Sequence, residues 1–196
     1  GNDVKWRENI YKIANPLNPI DILDIATGTA DIALELSKIK DSKVTGLDIS
    51  EKMLDVGRQK VADRNLNDKV VLISGDAENL NFSKNSFDLI SIGFGVRNFQ
   101  NLEKGISESF RVLRNGGTLI ILETSVPQNR FIKFFYLLFS RTFIPLVGSV
   151  FSKDKKAYKY LQKSAEEFPS GKKFGQILKS CGFNSVEILP LMLGLA

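Results

Sequence analysis

The order of apolar and polar positions along the chain predicts five strands that alternate with helices. Each strand is a short, mostly apolar run bounded by polar or glycine-bearing loops, which is typical of strands buried on both faces of a parallel sheet. The runs cover residues 21–25, 44–48, 70–73, 87–92 and 118–122. The pattern therefore predicts an α/β fold with a mostly parallel, doubly wound sheet and helices on both of its faces.

Between the strands, apolar residues recur at the three- and four-residue spacing of helices. Ser50 is the expected N-cap of the second of these helices, and residues 114–117 the expected C-cap and turn after the third. The apolar positions are Ile32, Ala33, Leu34, Leu36 and Ile39 in the first, Met53, Leu54, Gly57 and Val61 in the second, and Leu102, Ile106, Phe110 and Leu113 in the third.

Three further elements are expected near the two ends of the chain. An opening helix would carry Trp6, Ile10 and Ile13 near one side. A helix over residues 174–182 and a sixth strand over residues 185–189 would follow late in the chain, with the start of a seventh strand at its end. The first residue is not methionine, and we expect both termini to be truncated.

An apolar segment, residues 131–147, follows the fifth strand. Its length approaches that of a membrane span, but Lys133, Arg141 and Pro145 interrupt it. A lid over an apolar pocket or an interfacial helix fits this composition better. We expect a single domain over residues 1–196, in which residues 130–170 form a lid or a substrate-binding insertion.

The composition restricts the chemistry that the chain can use. Its 196 residues include no histidine and one cysteine, Cys181. An intramolecular disulfide is impossible with one cysteine, no metal site is expected, and the predicted location is the cytoplasm. Any proton transfer must use carboxylates, tyrosine, lysine, arginine or water.

Charge is unevenly distributed along the chain. Residues 1–126 carry 16 basic and 18 acidic side chains, whereas residues 127–196 carry 11 basic and 4 acidic ones, a net charge of +7. Such a basic segment points to a nucleic acid or an anionic membrane, and a solvated basic face is the simpler alternative.

The first predicted strand continues into a turn that is typical of a nucleotide cofactor site. Dinucleotide sites need G-x-G-x-x-G and phosphate loops need G-K-[ST], but the turn at residues 28–33 has one glycine, Gly28, and an acid, Asp31. An acidic turn suits a cation better than a phosphate. The sequence therefore predicts S-adenosylmethionine, which carries a sulfonium and an ammonium group.

Two acids at the ends of the next two strands extend this prediction. Asp48 ends the second strand and is expected to accept the ribose hydroxyls, and a helix N-cap is its alternative role. Asp76 follows the third strand and is expected to accept the adenine amino group, with Ala77 against the ring and Met53 on its face. A plain turn is the alternative for residues 74–78.

These motifs and several later ones resemble those of the menaquinone/ubiquinone biosynthesis C-methyltransferases. The segment most specific to that family is Phe94-Gly95-Val96-Arg97-Asn98, and the resemblance covers essentially the whole chain. The family usually has glycine where this chain has Ala30, which matters if that position needs a positive φ. The other matching segments are residues 23–29, 46–50, 53–54, 57–58, 75–78, 111–113, 116–117, 122–123, 157–161 and 168–169.

The resemblance implies a class I (Rossmann-like) fold and methyl transfer from S-adenosylmethionine to a ring carbon of a polyprenyl quinol. Arg97 is the expected partner of the quinolate oxygen, with Asn98 and Tyr160 orienting the ring. A surface salt bridge is the alternative role of Arg97. The residues expected to bind the cofactor are Asp24, Thr27, Gly28, Thr29, Asp48, Met53, Asp76, Ala77 and Ser91.

Several alternatives stay open at this point. A nicotinamide-dependent oxidoreductase is disfavoured by the single-glycine turn, and no Asn/Asp-Pro-Pro-aromatic loop of an amino-group nucleic-acid methyltransferase follows the fourth strand, so no nucleic acid is expected as partner. A non-catalytic lipid-binding module remains. The resemblance implies demethylmenaquinol as the substrate, with the benzoquinol precursor of ubiquinone or another small molecule as alternatives that the sequence does not separate. We expect peripheral contact with the inner face of an anionic membrane, and a homodimer stays open.

Overall fold

The computed structural model describes residues 2–124, 164, 168, 169 and 171–191, with side chains from residue 5 onward. The chain divides into two compact units, residues 1–122 and 123–196. Tyr160 and almost all of the expected 130–170 insertion lie outside the described residues, so the proposed domain organisation stays a prediction.

The first unit alternates strands and helices as the sequence predicts. Two short 3-10 helices, Asn15–Leu17 and Val96–Asn98, follow α1 and β4 respectively. The regular elements are α1 (Asn2–Ala14), β1 (Asp21–Ile25), α2 (Asp31–Leu36), β2 (Lys43–Asp48), α3 (Glu51–Asp63), β3 (Val70–Ser74), β4 (Phe87–Gly93), α4 (Leu102–Val112) and β5 (Leu113–Leu122).

The five strands form one parallel sheet in the order β3-β2-β1-β4-β5. The chain winds outward from β1 to β3 and then returns to place β4 beside β1. Right-handed crossovers consequently put α2 and α3 on one face of the sheet and α4 on the other. The doubly wound prediction is confirmed, and its switch point lies between β1 and β4, where such sheets bind ligands at their carboxyl ends.

Burial follows the pattern of apolar positions along the central strands. Ile22, Leu23 and Ile25 of β1 are fully buried, as expected for a strand covered on both faces. The edge strand β3 instead alternates, with Val70 buried and Val71 55% exposed. The core therefore lies on the two faces of β1, β2 and β4.

Two side chains expected to face the core are exposed. Phe110 of α4 is 44% exposed because the buried stripe of that helix passes through Gly105, Ile106, Ser109 and Val112 instead. A Cβ atom at Gly105 would collide with the ring of Phe99, so small residues on this stripe let the helix approach its neighbours closely. Met53 of α3 is 43% exposed, on the side of the carboxyl edge of the sheet.

The start of β5 differs from the prediction. The segment from Arg114 to Gly117, expected as a C-cap and turn, belongs to the strand. The glycines produce an irregularity within the strand, since Gly116 has φ 81° and the register shifts between the pairs Phe87–Leu113 and Leu89–Thr118. Arg114 holds the segment in place, because its guanidinium pairs with Asp88 at 2.7 Å and with Asp21 at 2.8 Å.

The described part of the second unit contains helix α5, Lys172–Ser180, close to the predicted range. The sixth strand predicted at residues 185–189 is wrong, since these residues have no regular secondary structure. A strand needs a hydrogen-bonded neighbour, whereas Val186 and Ile188 pack beside Gly175 of α5, with side-chain atoms 3.6 and 3.7 Å from where its Cβ would lie. Among the residues described, no helix is both long and apolar enough to span a membrane.

Candidate cofactor-binding site

The turn that follows β1 has an unusual backbone. Ala26, Gly28 and Ala30 alternate along it with φ values of 55°, 56° and 63°. Left-handed residues in alternation point successive backbone N–H groups toward a shared concave side. The positive φ at Ala30, which carries a Cβ atom, costs about 1 kcal/mol relative to glycine. The turn is therefore shaped for close approach of a ligand.

Three of the predicted cofactor residues form a buried polar cluster beneath this turn. Asp24 is fully buried and accepts hydrogen bonds from the hydroxyls of Thr27 and Ser91, both at 2.6 Å. Ser91 lies on β4 directly beside Asp24 of β1. The cluster thus joins the two strands at the switch point, and it supports the turn from below.

The carboxyl group of Asp24 has a perturbed pKa. Burial raises its pKa to about 6 from 3.8, although the hydrogen bonds from Ser91 and Thr27 act in the opposite direction. The nearby charge of Asp48 adds to the upward shift. A further negative charge at this edge of the sheet is therefore disfavoured, and a nearby cation would lower the pKa of Asp24.

Asp48, at the end of β2, holds the turn from the side. Its Oδ2 accepts the N–H of Gly28 at 2.8 Å, and its Oδ1 accepts the N–H of Ser50 at 2.8 Å. Ser50 occupies the N-cap position of α3, but its side chain makes no capping hydrogen bond. Each carboxylate oxygen keeps further lone pairs, so Asp48 is oriented in advance to accept additional donors such as a diol.

Met53 lies against the same turn. Its Cε is 3.4 Å from the position where a Cβ atom on Gly28 would lie. Behind the turn, a Cβ atom on Gly46 would approach Leu72 to 2.5 Å and the Thr27 hydroxyl to 2.9 Å. The absence of side chains at these two glycines therefore allows the turn, β2 and α3 to come together.

Asp31 corrects the electrostatic argument made from the sequence. Its carboxylate pairs with Arg7 of α1 at 3.1 Å and Lys60 of α3 at 2.9 Å, and the Thr29 hydroxyl donates to it at 2.8 Å. Burial alone would raise the pKa of Asp31, but the hydrogen bonds from Lys60 and Thr29 and the charges of Lys60 and Arg7 together lower it. The acid of the turn is already neutralised, so the remaining negative charge near the turn belongs to Asp48 and to Asp24, which is buried beneath it.

The pairing of Asp31 with Lys60 and Arg7 was missed in the sequence. The Lys60 ammonium also donates to the Thr29 hydroxyl at 2.8 Å, so this side chain fastens the end of the turn to α3. Arg7 lies 24 residues before Asp31 in the chain, and Lys60 lies 29 residues after it. Only the fold brings them together, and no local spacing signals the contact.

Asp76 and Ala77 follow β3 in a tight loop. Oδ1 of Asp76 accepts the N–H of Glu78 at 2.8 Å, which satisfies the plain-turn alternative and leaves its other oxygen for a ligand. Glu78 in turn accepts the N–H of Asn101 at 3.0 Å, at the start of α4. The loop expected to contact adenine is therefore held by α4, which lies on the face of the sheet opposite α2 and α3.

A second pair on α4, also missed in the sequence, fixes the rest of this loop. Arg111 donates to the carbonyl oxygens of Leu80 at 2.8 Å and Phe82 at 2.7 Å, and Glu108 accepts the N–H of Leu80 at 2.9 Å. The three-residue spacing of Glu108 and Arg111 on one helix could have indicated their mutual ion pair. The spacing does not indicate that both side chains also bind backbone groups of the loop after β3.

The loop after β4 carries the two predicted catalytic residues that the structure describes. Arg97 and Asn98 lie in the 3-10 helix Val96–Asn98; Arg97 is half-buried and Asn98 is exposed. A Cβ atom on Gly95 would collide with that of Ala26, so this loop packs directly on the cofactor turn. The third predicted catalytic residue, Tyr160, lies outside the described residues.

This set of donors and acceptors fits S-adenosylmethionine. The charge of Asp24, buried beneath the turn, favours a cationic cofactor, Asp48 is an oriented acceptor for a ribose diol, and Asp76 offers an acceptor for an adenine amino group. Gly28 leaves a cradle under Met53 that a side chain would fill. Within the described part of the chain, no group of three or more metal-ligating side chains is present.

Comparison with known proteins identifies the family. A model of the ubiE/COQ5 methyltransferase family matches residues 1–196. The chain belongs to the ubiE/COQ5 methyltransferase family. Membership confirms the predicted resemblance and makes the protein a methyltransferase whose cofactor is S-adenosylmethionine. It also removes the nicotinamide-dependent oxidoreductase and the non-catalytic lipid-binding module as alternatives.

Individual relatives agree with this membership. The chain is 38% identical over 196 residues to a demethylmenaquinone methyltransferase of Bacteroides fragilis. This alignment covers 100% of the chain and 80% of the relative. It is 41% identical over 170 residues to a demethylmenaquinone methyltransferase of Chlorobaculum tepidum. That alignment covers 87% of the chain and 68% of the relative.

Solved structures support the fold. A protein from Bacillus halodurans matches with a TM-score of 0.67 and 25% identity, over 95% of this chain and 71% of that one. A SAM-dependent methyltransferase from Aquifex aeolicus matches with a TM-score of 0.63 and 18% identity, over 88% of this chain and 76% of that one. The predicted Rossmann-like fold of this ubiE/COQ5 family member is therefore confirmed.

Proposed function

We propose that the chain methylates a ring carbon of a polyprenylated demethylquinol, converting demethylmenaquinol to menaquinol. The observation that carries this proposal is the match to demethylmenaquinone methyltransferases at 38% and 41% identity over most of the chain. The cofactor edge described above supports it, because the motif segment that carries Arg97 packs against the cofactor turn at Ala26.

The residues at the carboxyl edge have separable roles in this proposal. S-Adenosylmethionine supplies an electrophilic methyl group. Asp48 binds the ribose hydroxyls, Met53 and Ala77 contact the adenine ring, and Asp76 accepts its amino group. Gly28 and the backbone of Thr29 allow close approach. Asp24, Thr27 and Ser91 act from beneath, since their hydroxyl and carboxyl groups already bond to one another.

Arg97 binds the acceptor. A hydroquinone carbon is most nucleophilic when the neighbouring oxygen is ionised, and an arginine remains protonated at all ordinary pH values. Arg97 can therefore stabilise the quinolate oxygen, but it does not remove the proton. Asn98 and Tyr160 orient the ring. The new carbon–carbon bond forms as the methyl–sulfur bond breaks, and the ring proton that is displaced leaves to water.

Turnover with two acceptors tests the substrate. The protein is given S-adenosylmethionine and either demethylmenaquinol or the demethylated benzoquinol, each with the same prenyl tail, and kcat/KM is measured for both. We expect the naphthoquinol to be preferred. A preference for the benzoquinol would move the proposal to ubiquinone synthesis, and methylation of neither would overturn it.

The protein would meet this substrate at the inner face of a membrane, as a peripheral cytoplasmic enzyme. Residues 127–196 carry a net charge of +7 and include the apolar segment 131–147. Attraction to anionic lipid contributes about 1 kcal/mol per well-placed basic residue, and apolar side chains can insert at the interface. A polyprenyl quinol is almost insoluble in water, so the enzyme must take it from lipid.

Sedimentation with vesicles tests the membrane contact. At low salt we expect more protein to pellet with anionic vesicles than with neutral ones, and we expect added salt to reverse the difference. Equal pelleting with both would remove the electrostatic part of the proposal. No pelleting with either would require a carrier or a partner protein to deliver the quinol. Light scattering on the protein without vesicles decides between a monomer and a homodimer.

A further inference from the structure

The connection from β3 to β4, residues 75–86, crosses the sheet without a helix. β3 lies at one edge of the sheet, and β2 and β1 separate it from β4. A connection between parallel strands usually contains a helix, whose internal hydrogen bonds satisfy most of its backbone. Residues 75–86, all of them described, have turns and an isolated bridge between Asp76 and Asn79 but no helix or strand. Backbone groups along this connection therefore need partners from elsewhere in the fold.

Leu80 directly follows the turn that presents Asp76. The N–H of Asn79 donates to the carbonyl oxygen of Asp76 at 3.1 Å, which closes this turn. The next residue, Leu80, is only 4% exposed. A residue buried to this extent needs protein partners for its N–H and its carbonyl group. Whatever binds the backbone of Leu80 therefore also fixes the end of the Asp76 turn.

Glu108 and Arg111 of α4 provide both partners. Oε2 of Glu108 accepts the N–H of Leu80 at 2.9 Å, and Nη2 of Arg111 donates to the carbonyl oxygen of Leu80 at 2.8 Å. The guanidinium also donates to the two oxygens of Glu108 at 2.7 and 2.8 Å, and to the carbonyl oxygen of Phe82 at 2.7 Å. Its hydrogen bonds lower the pKa of Glu108, although burial acts in the opposite direction. An ionised, bidentate pair therefore holds the backbone of Leu80 on both sides.

The other end of α4 holds the same turn at a second point. Oε1 of Glu78 accepts the N–H of Asn101, the N-cap residue of α4, at 3.0 Å. Glu78 also donates its own N–H to Oδ1 of Asp76 at 2.8 Å. The turn is thus attached to α4 at Glu78 and at Leu80, so this helix sets the position of the Asp76 carboxylate.

We propose that Glu108 and Arg111 are positioning residues for adenine recognition: by clamping Leu80, they hold the turn in which the second carboxylate oxygen of Asp76 meets the adenine amino group. Neither side chain touches the cofactor in this proposal. It rests on the proposed role of Asp76, and it assigns part of the selectivity for the base to a pair on the far side of the loop.

Calorimetric titration with two ligands tests this inference. One is S-adenosylmethionine, and the other is its analogue with purine in place of adenine, which lacks only the amino group. We expect the parent to bind S-adenosylmethionine about tenfold more tightly than the analogue, and Asp76→Ala to lose this preference. In Arg111→Met the preference should fall to about threefold or less. A purely structural role would weaken both ligands equally, so an unchanged ratio would overturn the proposal.

Arg114→Met is the matched control. Arg114 also pairs with carboxylates, those of Asp88 at 2.7 Å and Asp21 at 2.8 Å. Its side chain is 40% exposed, close to the 35% of Arg111. These partners lie near the beginning of β4 and β1, away from the carboxyl edge. We expect the control to keep the parent's preference, and an equal reduction in both variants would refute the assignment.

Arg111→Lys keeps the test decisive if Arg111→Met does not fold. Lysine retains the charge but loses the planar fork that joins Glu108 to two carbonyl groups, so the preference should fall by less. Added to Asp76→Ala, the same change should not alter the ratio further, and a further change would mean that Arg111 does not act through Asp76. Binding needs no quinol. A protein that shows this coupling but methylates neither quinol would refute the proposed function and retain the inference.

Discussion

The N–H of Gly28 donates to Oδ2 of Asp48 at 2.8 Å. This carboxylate holds the turn after β1, and we propose that its remaining lone pairs accept the ribose hydroxyls of the cofactor. Since Gly28 has φ 56° and Asp48 ends the neighbouring strand, this contact joins the strained backbone after β1 to β2. Several consequences can be measured.

Removing Asp48 should weaken cofactor binding strongly. In Asp48→Ala, the ribose hydroxyls lose a charged acceptor and the turn loses its support at Gly28. Two hydrogen bonds to a charged group are worth about 3 kcal/mol or more, which is roughly a hundredfold in affinity. Calorimetric titration with S-adenosylmethionine measures this, and Asp68→Ala, at an exposed acid of the loop before β3, is the control. Equal affinity in Asp48→Ala and the parent would refute the ribose assignment.

Asp24 should make stability depend on pH. Burial raises its pKa in the folded protein to about 6, above the 3.8 of an ordinary aspartate. The folded state therefore binds more protons than the unfolded state between these values, and the contribution of Asp24 to stability falls as the pH rises from 3.8 to about 6. The full change is about 3 kcal/mol.

Asp24→Asn isolates this contribution, because asparagine does not titrate. Other carboxyls, such as Asp31 and Asp88, have lowered pKa values and act in the opposite direction. The informative quantity is therefore the difference in unfolding free energy between variant and parent, followed by denaturant titration across this pH window. We expect the difference to move in favour of the variant as the pH rises. A constant difference would mean that Asp24 has an ordinary pKa.

Lys60 should affect the cofactor without touching it. Lys60→Met leaves Thr29 and Asp31 without their link to α3, while Arg7 still pairs with Asp31. Since the Lys60 side chain is 32% exposed, solvent screens the pair and the loss should be about 1 kcal/mol, roughly fivefold in affinity. Lys52→Met, on the same helix, is the control. If both variants bind S-adenosylmethionine like the parent, Lys60 does not position the turn.

Arg97→Lys should separate chemistry from binding. Lysine keeps the positive charge but loses the planar fork that can hold a quinolate oxygen and a water molecule together. We expect turnover to fall about a hundredfold, while the affinity for S-adenosylmethionine stays within about twofold of the parent. Steady-state kinetics and calorimetry on the same preparation measure both quantities. Full turnover in the lysine variant would assign Arg97 a structural role.

The strands β1 to β4 could be predicted because each is a compact apolar run with polar borders. The start of β5 could not, since Arg114-Asn115-Gly116-Gly117 has the local composition of a turn and is kept in the strand by ion pairs from Arg114 to Asp88 and Asp21. The strand predicted at residues 185–189 shows the same limit. Its alternating pattern is real, but Val186 and Ile188 use it to pack on a helix.

The site divides in a similar way. Asp48 and Asp76 could be placed from the sequence because each directly follows a buried strand, and parallel strands end at a common edge. The neutralisation of Asp31 could not be foreseen, because Arg7 and Lys60 approach it from two other helices. Nor does any periodic pattern indicate that Phe94, rather than one of its neighbouring glycines, would adopt the left-handed conformation.

The central claim is methyl transfer to carbon at this edge of the sheet. It is tested most directly by incubating the protein with S-adenosylmethionine carrying an isotopically labelled methyl group and with demethylmenaquinol, then locating the label in the product by NMR. We expect the labelled methyl group to be attached to a quinone ring carbon, in an amount reduced in Arg97→Lys. A label on an oxygen atom, or no labelled quinone under conditions in which calorimetry confirms cofactor binding, would contradict it.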